Sequence, residues 1–121
     1  MSKRIVILED EKSTLELVET VLGEEGYDAI AINHYEPLEY LIDFAPELIL
    51  LDVRLSGGYG HLLCKDLKAN PITSHIPVIL ISGSANLEAI ARECKADGFL
   101  SKPFTLESLI STVKQFDQKS E

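Results

Sequence analysis

The sequence predicts an α/β domain in which a doubly wound, five-stranded parallel sheet is covered by five helices. Apolar runs of four residues alternate with stretches of helical periodicity along the chain. These runs are apolar at every position, which is typical of parallel strands that are covered on both faces. The connections between them are short, so successive elements must lie next to one another.

Five segments supply the strands, and five intervening segments carry apolar residues three or four positions apart. The strands are Arg4–Leu8, Ala29–Ile32, Leu48–Leu51, Val78–Ile81 and Gly98–Leu100. The helical segments centre on Leu15–Leu22, Leu38–Ile42, Leu62–Leu67, Leu87–Cys94 and Leu106–Phe116. Gly23 and Gly26 end the first helix, and Pro46 limits the second because proline lacks the amide that a helix needs.

Length and composition indicate one acidic globular domain. The 121 residues carry 11 basic and 20 acidic side chains, a net charge of −9, and 45% of them are hydrophobic. This composition excludes disorder and argues against nucleic-acid binding, while the short apolar runs exclude a membrane span. Cys64 and Cys94 lack metal-ligand spacing and are interpreted as reduced core residues of a cytoplasmic protein. We expect a single domain over 1–121, with its core at about 3–116 and a frayed tail at 117–121.

Polar side chains follow four of the five predicted strands at their carboxyl ends, where open parallel sheets bind ligands. They are Glu9 and Asp10, Asp52, Ser82, and Lys102. Glu9 and Asp10 can also be explained by a helix amino terminus, and Ser82 and Lys102 by ordinary backbone bonding and solvation. Asp52 is harder to explain in this way, because it ends a central strand where an unpaired carboxylate is costly to bury.

Clustered carboxylates repel one another unless a cation joins them. Glu9, Asp10 and Asp52 together carry −3, which Lys102 and one Mg²⁺ would balance. The sequence therefore predicts an oxygen-ligand magnesium site that is ready to accept an anionic group.

These residues resemble the receiver domains of two-component response regulators, which have a CheY-like, flavodoxin-like (βα)5 fold. The resemblance covers residues 3–116 and rests on Glu9-Asp10, Asp52, Gly60, Ser82 and Lys102-Pro103-Phe104. It implies a phosphoacceptor signalling domain, not a classical enzyme, which assists its own phosphoryl transfer and dephosphorylation.

The resemblance also implies roles for individual residues. Asp52 would accept a phosphoryl group from the phosphohistidine of a sensor histidine kinase or phosphotransfer protein. Mg²⁺ would be held by Asp10, Asp52, the backbone carbonyl of Arg54 and, through water, Glu9.

Four further positions match the part of the family pattern that responds to phosphorylation. Lys102 would pair with the phosphoryl oxygens, Ser82 would hydrogen-bond one of them, and Phe99 matches the switch aromatic. Phe99 can equally be a core aromatic. Pro103 is a candidate for a cis peptide bond.

The loop after Asp52 departs from the family pattern. Ser56 stands where proline is usual and Gly57-Gly58 follows, so we expect a mobile loop. Arg54 and Ser84 match positions at which members of the family tune access of water to the acyl phosphate. Arg54 would cover the phosphoryl group and slow its hydrolysis, or it is an ordinary solvated side chain.

The leading interpretation is a stand-alone, phosphorylatable receiver that binds a downstream protein target. A face with Glu88, Arg92, Lys95 and Lys114 is a candidate partner surface, although a solvated helical face explains it as well. The alternative function is a receiver-like interaction module that works without phosphorylation. A flavin- or nucleotide-binding domain is disfavoured, because Glu9-Asp10-Glu11 replaces a glycine-rich phosphate loop.

Overall fold

The computed structural model describes residues 3–119 and shows a central parallel sheet between two layers of helices. The strands are β1 (Arg4–Leu8), β2 (Asp28–Ile32), β3 (Leu48–Asp52), β4 (Arg54–Leu55), β5 (Gly58–Tyr59), β6 (Val78–Ser82) and β7 (Gly98–Ser101). The helices are α1 (Lys12–Glu24), α2 (Leu38–Ile42), α3 (Gly60–Ala69), α4 (Leu87–Cys94) and α5 (Leu106–Lys119).

Five strands form the main sheet in the order β2-β1-β3-β6-β7, and every neighbouring pair is parallel. The predicted doubly wound sheet with five helices is confirmed. From β1 the chain builds outward first to β2 and then, on the other side, to β3. This reversal places the ends of β1 and β3 beside a crevice, which is where ligands bind in such sheets.

The core lies on both faces of the sheet, as the uninterrupted apolar runs predict. One layer packs α1 and α5 against residues such as Ile7 and Leu50, and the other packs α2, α3 and α4 against residues such as Val6 and Leu51. All residues of β3 and β6 are buried. Cys64 and Cys94 are both buried and free, which confirms their interpretation as core thiols.

The segment after β3 differs from the predicted mobile loop. β4 and β5 pair as an antiparallel hairpin with Leu55 opposite Gly58, and Ser56-Gly57 form its two-residue turn. Gly57 has a φ of +92°, a conformation that glycine adopts without steric cost. Gly57 therefore supplies the backbone conformation that the second position of this tight turn needs.

The chain's last helix also extends beyond the predicted core. α5 continues to Lys119, three residues past the predicted end of the core at about 116, while 120 and 121 lie outside the described residues. Fraying of 117–121 stays a prediction. Leu106, the first of the apolar residues spaced along this helix, is exposed because it lies in the first turn, ahead of the buried Leu109. Among residues 3–119, no helix is both long and apolar enough to cross a membrane.

Candidate functional site

The four adjacent strands β1, β3, β6 and β7 bring the predicted polar residues to one edge of the sheet. Asp52 and Ser82 are the last residues of β3 and β6, while Glu9 and Lys102 directly follow β1 and β7. Glu9, Asp52 and Ser82 are buried. The strand order thus assembles side chains that are far apart in the sequence.

Lys102 joins two of the carboxylates at the centre of the site. Its Nζ lies 2.8 Å from Glu9 Oε1 and 3.2 Å from Asp52 Oδ2. The Glu9 side chain is only 2% exposed, so its negative charge depends on the ammonium group for compensation. The other oxygen of Glu9 accepts a hydrogen bond from the backbone N–H of Glu11 at 3.0 Å.

The pKa values of Glu9 and Lys102 are both raised above their ordinary values. Burial raises the pKa of Glu9 and the nearby Asp52 carboxylate raises it further, against the lowering effect of Lys102. Partial burial alone would lower the pKa of Lys102, but Glu9 and Asp52 together outweigh it and raise the pKa above its ordinary value. The cluster therefore carries more negative charge than Lys102 can neutralise.

Asp10 lies at the outer side of the cluster and fixes the hairpin. It is exposed, and its Oδ1 accepts a hydrogen bond from the backbone N–H of Ser56 at 2.9 Å. On the other side of the turn, the Tyr35 N–H donates to the Ser56 carbonyl at 2.8 Å. Ser56 is therefore tied to the ends of both β1 and β2, which accounts for an ordered turn without the proline that is usual here.

The backbone of Asp52 is packed directly against the start of α3. A Cβ atom at Gly60 would lie 1.9 Å from the Asp52 carbonyl oxygen, well inside any allowed contact. The Gly60 N–H donates to the Val53 carbonyl at 2.7 Å, and the Val53 N–H donates to the Ile81 carbonyl at 3.2 Å. Glycine at position 60 is thus required for Asp52 to occupy its place at the end of β3.

Comparison with known proteins agrees with this geometry. The family model for the response regulator receiver domain matches residues 5–114. The chain belongs to this family. Receivers are signalling phosphoacceptor domains of two-component systems that interact with histidine kinases and downstream effectors, and they are not classical enzymes.

The curated proteins that the chain resembles are longer than the chain itself. The chain is 34% identical over 117 residues to the phosphate regulon transcriptional regulatory protein PhoB of Escherichia coli, covering 94% of this chain and 51% of PhoB. It thus spans about half the length of the curated relatives it matches.

Solved structures give the same picture of the fold. The signal receiver domain of a signal transduction histidine kinase from Syntrophus aciditrophicus is 31% identical, with a TM-score of 0.82 over 98% of this chain and 92% of that one. A CheY-like receiver of Methanospirillum hungatei, at 23% identity, has a TM-score of 0.85 over 99% and 97% of the two chains. The second likeness supports the CheY-like fold alone.

Ser82 and Phe99, predicted as switch residues of the receiver, lie on neighbouring strands. The Ser82 hydroxyl oxygen accepts a hydrogen bond from the backbone N–H of Ser84 at 3.1 Å. Phe99 is 42% exposed on β7, so it is not the core aromatic of the alternative interpretation. The peptide bond between Lys102 and Pro103, the candidate cis bond, is cis.

A cavity of about 540 Å³ borders the receiver's polar edge, and the sequence did not reveal it. It lies beside Arg54 and Ser82 and is also lined by Tyr59, His61 and Ile90. The Nδ1 atom of His61 is buried and has no hydrogen-bond partner among the residues that the structure describes. Tyr59 ends the second strand of the hairpin and His61 lies in the first turn of α3. No charge or spacing pattern distinguishes them in the sequence.

The oxygens at this edge suit Mg²⁺, which prefers hard oxygen ligands and keeps several waters. Glu9 and Asp52 are two buried carboxylates beside the single ammonium group of Lys102, and a divalent cation would offset the charge that remains. Within 3–119, no three acidic, histidine or cysteine side chains are gathered as a ready-made cage. That finding is compatible with Mg²⁺, since one or two carboxylates and water suffice to hold it.

Proposed function

We propose that this chain is a cytoplasmic receiver that accepts a phosphoryl group on Asp52 from the phosphohistidine of a sensor kinase or phosphotransfer protein. The observation that carries the proposal is the bridge from Lys102 to Glu9 and Asp52. It places a cation beside a nearly buried acceptor carboxylate. A structural ion pair alone would not need a carboxylate at the carboxyl end of the central strand, beside the crevice.

The two oxygens of Asp52 have different surroundings, which suits them to different tasks. Oδ2 lies 3.2 Å from the Lys102 ammonium, while Oδ1 has only a long contact of 3.5 Å with the Arg54 N–H. Oδ1 is therefore the better candidate for the attacking atom. It would form a bond to phosphorus as the bond from phosphorus to the donor imidazole nitrogen breaks, and the imidazole would keep the electron pair.

Neutralisation of the transferred group is the main contribution of the chain to this reaction. Lys102, which now pairs with the Asp52 carboxylate, would pair with the phosphoryl oxygens after transfer. Bound Mg²⁺ would neutralise further negative charge there. The groups that would hold it are Asp10, Asp52, the Arg54 carbonyl and, through water, Glu9.

Phosphorylation would also supply the signal to a downstream protein. The Asp52 carboxylate carries −1, whereas the phosphorylated side chain carries about −2. The phosphoryl oxygens would give Ser82 an acceptor for its hydroxyl hydrogen, which its present bond with Ser84, in which Ser82 accepts, does not use. A shift of Ser82 would change the space available to the half-exposed Phe99 on the neighbouring strand.

The proposal is tested by incubating the protein with acetyl phosphate and recording its intact mass with and without Mg²⁺. We expect one added phosphoryl group in the wild-type protein, dependent on Mg²⁺, and none in Asp52→Asn. Asp66→Asn is the matched control, because Asp66 is an exposed carboxylate on α3 and its loss should leave labelling unchanged.

If acetyl phosphate gives no adduct, beryllofluoride binding followed by backbone NMR separates slow loading from an inactive site. Failure of both would favour the alternative function, an interaction module that works without phosphorylation. Whether the receiver acts as a stand-alone regulator stays a prediction from the sequence.

A further inference from the structure

The carboxyl end of β2 borders a groove that the proposed phosphorylation does not use. Within the described part of the chain, β2 pairs only with β1 and ends the sheet on that side, which leaves its outer edge free. The groove has a volume of about 440 Å³ and is lined by Lys12, Leu15, Glu16 and Glu19 of α1, by residues 31–34, and by Tyr40 of α2. It therefore opens beside the end of the free edge, between helices that belong to opposite faces of the sheet.

The backbone of β2 offers hydrogen-bonding groups to this groove. Asp28 donates its N–H to the Lys3 carbonyl and Ile32 accepts from the Glu9 N–H, so these two residues face β1. Backbone groups alternate along a strand, which turns the N–H and C=O of Ala29 and Ala31 away from β1. Their small side chains pack on the α1 side without closing the edge.

The last four residues of β2, 29–32, contain no charged residue or proline that would protect an edge strand. The strand begins with Asp28, whose carboxylate is paired with Arg4, and α2, which would cover one side of the strand, is only five residues long. Tyr40 of α2, which lines the groove, is 47% exposed. The edge is thus accessible and has an exposed aromatic ring on the α2 side.

Charge decides which occupant the edge can take. Residues 11–47, which build α1, β2 and α2, carry ten acidic side chains and one basic side chain, a net charge of −9. The rest of the chain carries ten of each. Two of its cations, Arg4 and Lys114, pair with Asp28 and Glu25, and the side of the molecule that carries β2 stays net acidic. The single cation, Lys12, lies 3.9 Å from Glu16 and does not neutralise Glu19.

We propose that this groove binds an extended, lysine- or arginine-bearing segment of a partner protein, which adds as a strand to the free edge of β2. Backbone bonds to Ala29 and Ala31 would supply affinity, and the acidic walls would select basic side chains. The same charge opposes edge-to-edge pairing of two copies and the approach of nucleic acid. The groove is independent of phosphorylation at Asp52.

The test uses a fluorescein-labelled hexapeptide of alternating lysine and valine, with binding measured by fluorescence polarisation and by backbone NMR. We expect saturable binding with amide shifts centred on Ala29 and Ala31. The same peptide with alternate backbone N-methyl groups keeps its charge but loses donors, so its affinity should fall at least about tenfold if strand pairing holds it.

Two variants separate the backbone contribution from the charge contribution. Ala31→Pro removes an outward N–H and is tolerated on an edge strand, and Glu16→Gln with Glu19→Gln removes two charges while keeping shape. Each should raise the Kd by about five- to tenfold, whereas the control Glu107→Gln on α5 should not. If Ala31→Pro does not fold, the N-methylated peptide still tests the backbone contribution.

Several results would overturn the proposal. They are equal binding of the N-methylated peptide, amide shifts centred elsewhere, and an absence of binding at millimolar peptide. Self-association of the protein that Ala31→Pro abolishes would assign the edge to a second copy instead. Labelling by acetyl phosphate should be unchanged in the protein that carries both Glu16→Gln and Glu19→Gln. A loss of peptide binding can therefore be distinguished from a loss of phosphorylation at Asp52.

Discussion

Replacement of Gly60 by alanine is expected to destabilise the protein by pushing α3 away from the acceptor. The new Cβ would lie 1.9 Å from the Asp52 carbonyl oxygen, while ordinary contact begins at 3.4 Å, so the two must separate by about 1.5 Å. The obstacle is backbone and cannot rotate away. Strain of about 3 kcal/mol, less about 1 kcal/mol gained from alanine's helix propensity, leaves a net loss of about 2 kcal/mol.

Gly23→Ala is the matched control for this substitution. Gly23 also lies in a helix, α1, and an added Cβ would meet no atom within 4 Å. Here only the propensity gain applies, so we expect stabilisation by about 0.5–1 kcal/mol. The same chemical change should therefore have opposite signs at positions 23 and 60.

Urea unfolding followed by far-ultraviolet circular dichroism measures both changes, since the chain contains no tryptophan for fluorescence. Gly60→Ala should also slow labelling by acetyl phosphate, because its adjustment displaces the Asp52 backbone. A Gly60→Ala protein as stable as the wild type would refute the argument that glycine is required beside Asp52.

Three further substitutions test individual contacts. Lys102→Ala removes the cation beside buried Glu9 and should lower the free energy of unfolding by about 1–3 kcal/mol in urea titrations at neutral pH. The substitution should also weaken the response to phosphorylation. An unchanged response would show that Lys102 does not have its assigned role. Arg54→Ala should change the half-life of the acyl phosphate, measured by decay of the phosphorylated mass, and an equal half-life would exclude shielding by Arg54.

Tyr27→Phe tests the effect of a tyrosine titration on stability. Burial, with the hydrogen bond to Asp117, raises the pKa of Tyr27 to about 12. The stabilising contribution of Tyr27 is therefore complete below pH 10 and lost as pH rises through about 12. The phenylalanine variant should lack that loss in alkaline unfolding curves, and an unchanged alkaline limb would show that Tyr27 does not cause it.

The sheet and the position of the site could be predicted because both depend on local patterns. Each strand of the main sheet is a short apolar run, and the strands' carboxyl ends meet at one edge whatever the side-chain details. Asp52 and Lys102 could therefore be placed together although fifty positions separate them. Even Gly60 was singled out, although only the structure gives the close approach that explains it.

The hairpin and the cavity could not be predicted, because they depend on tertiary contacts. Gly57-Gly58 permits both a mobile loop and a tight turn, and the bonds from Ser56 to Asp10 and Tyr35 decide between them. Likewise, Tyr59 and His61 border a cavity only because α3 begins where it does. The exposure of Phe99 depends on packing at the sheet edge, which hydropathy does not report.

The central claim is that Asp52 is the residue that carries the phosphoryl group. Borohydride reduction of the phosphorylated protein converts an aspartyl phosphate to homoserine, which peptide mass spectrometry then locates. The account predicts homoserine at position 52 alone, in an amount that matches the intact-mass labelling. Homoserine at Asp10, or labelling without any at position 52, would contradict it.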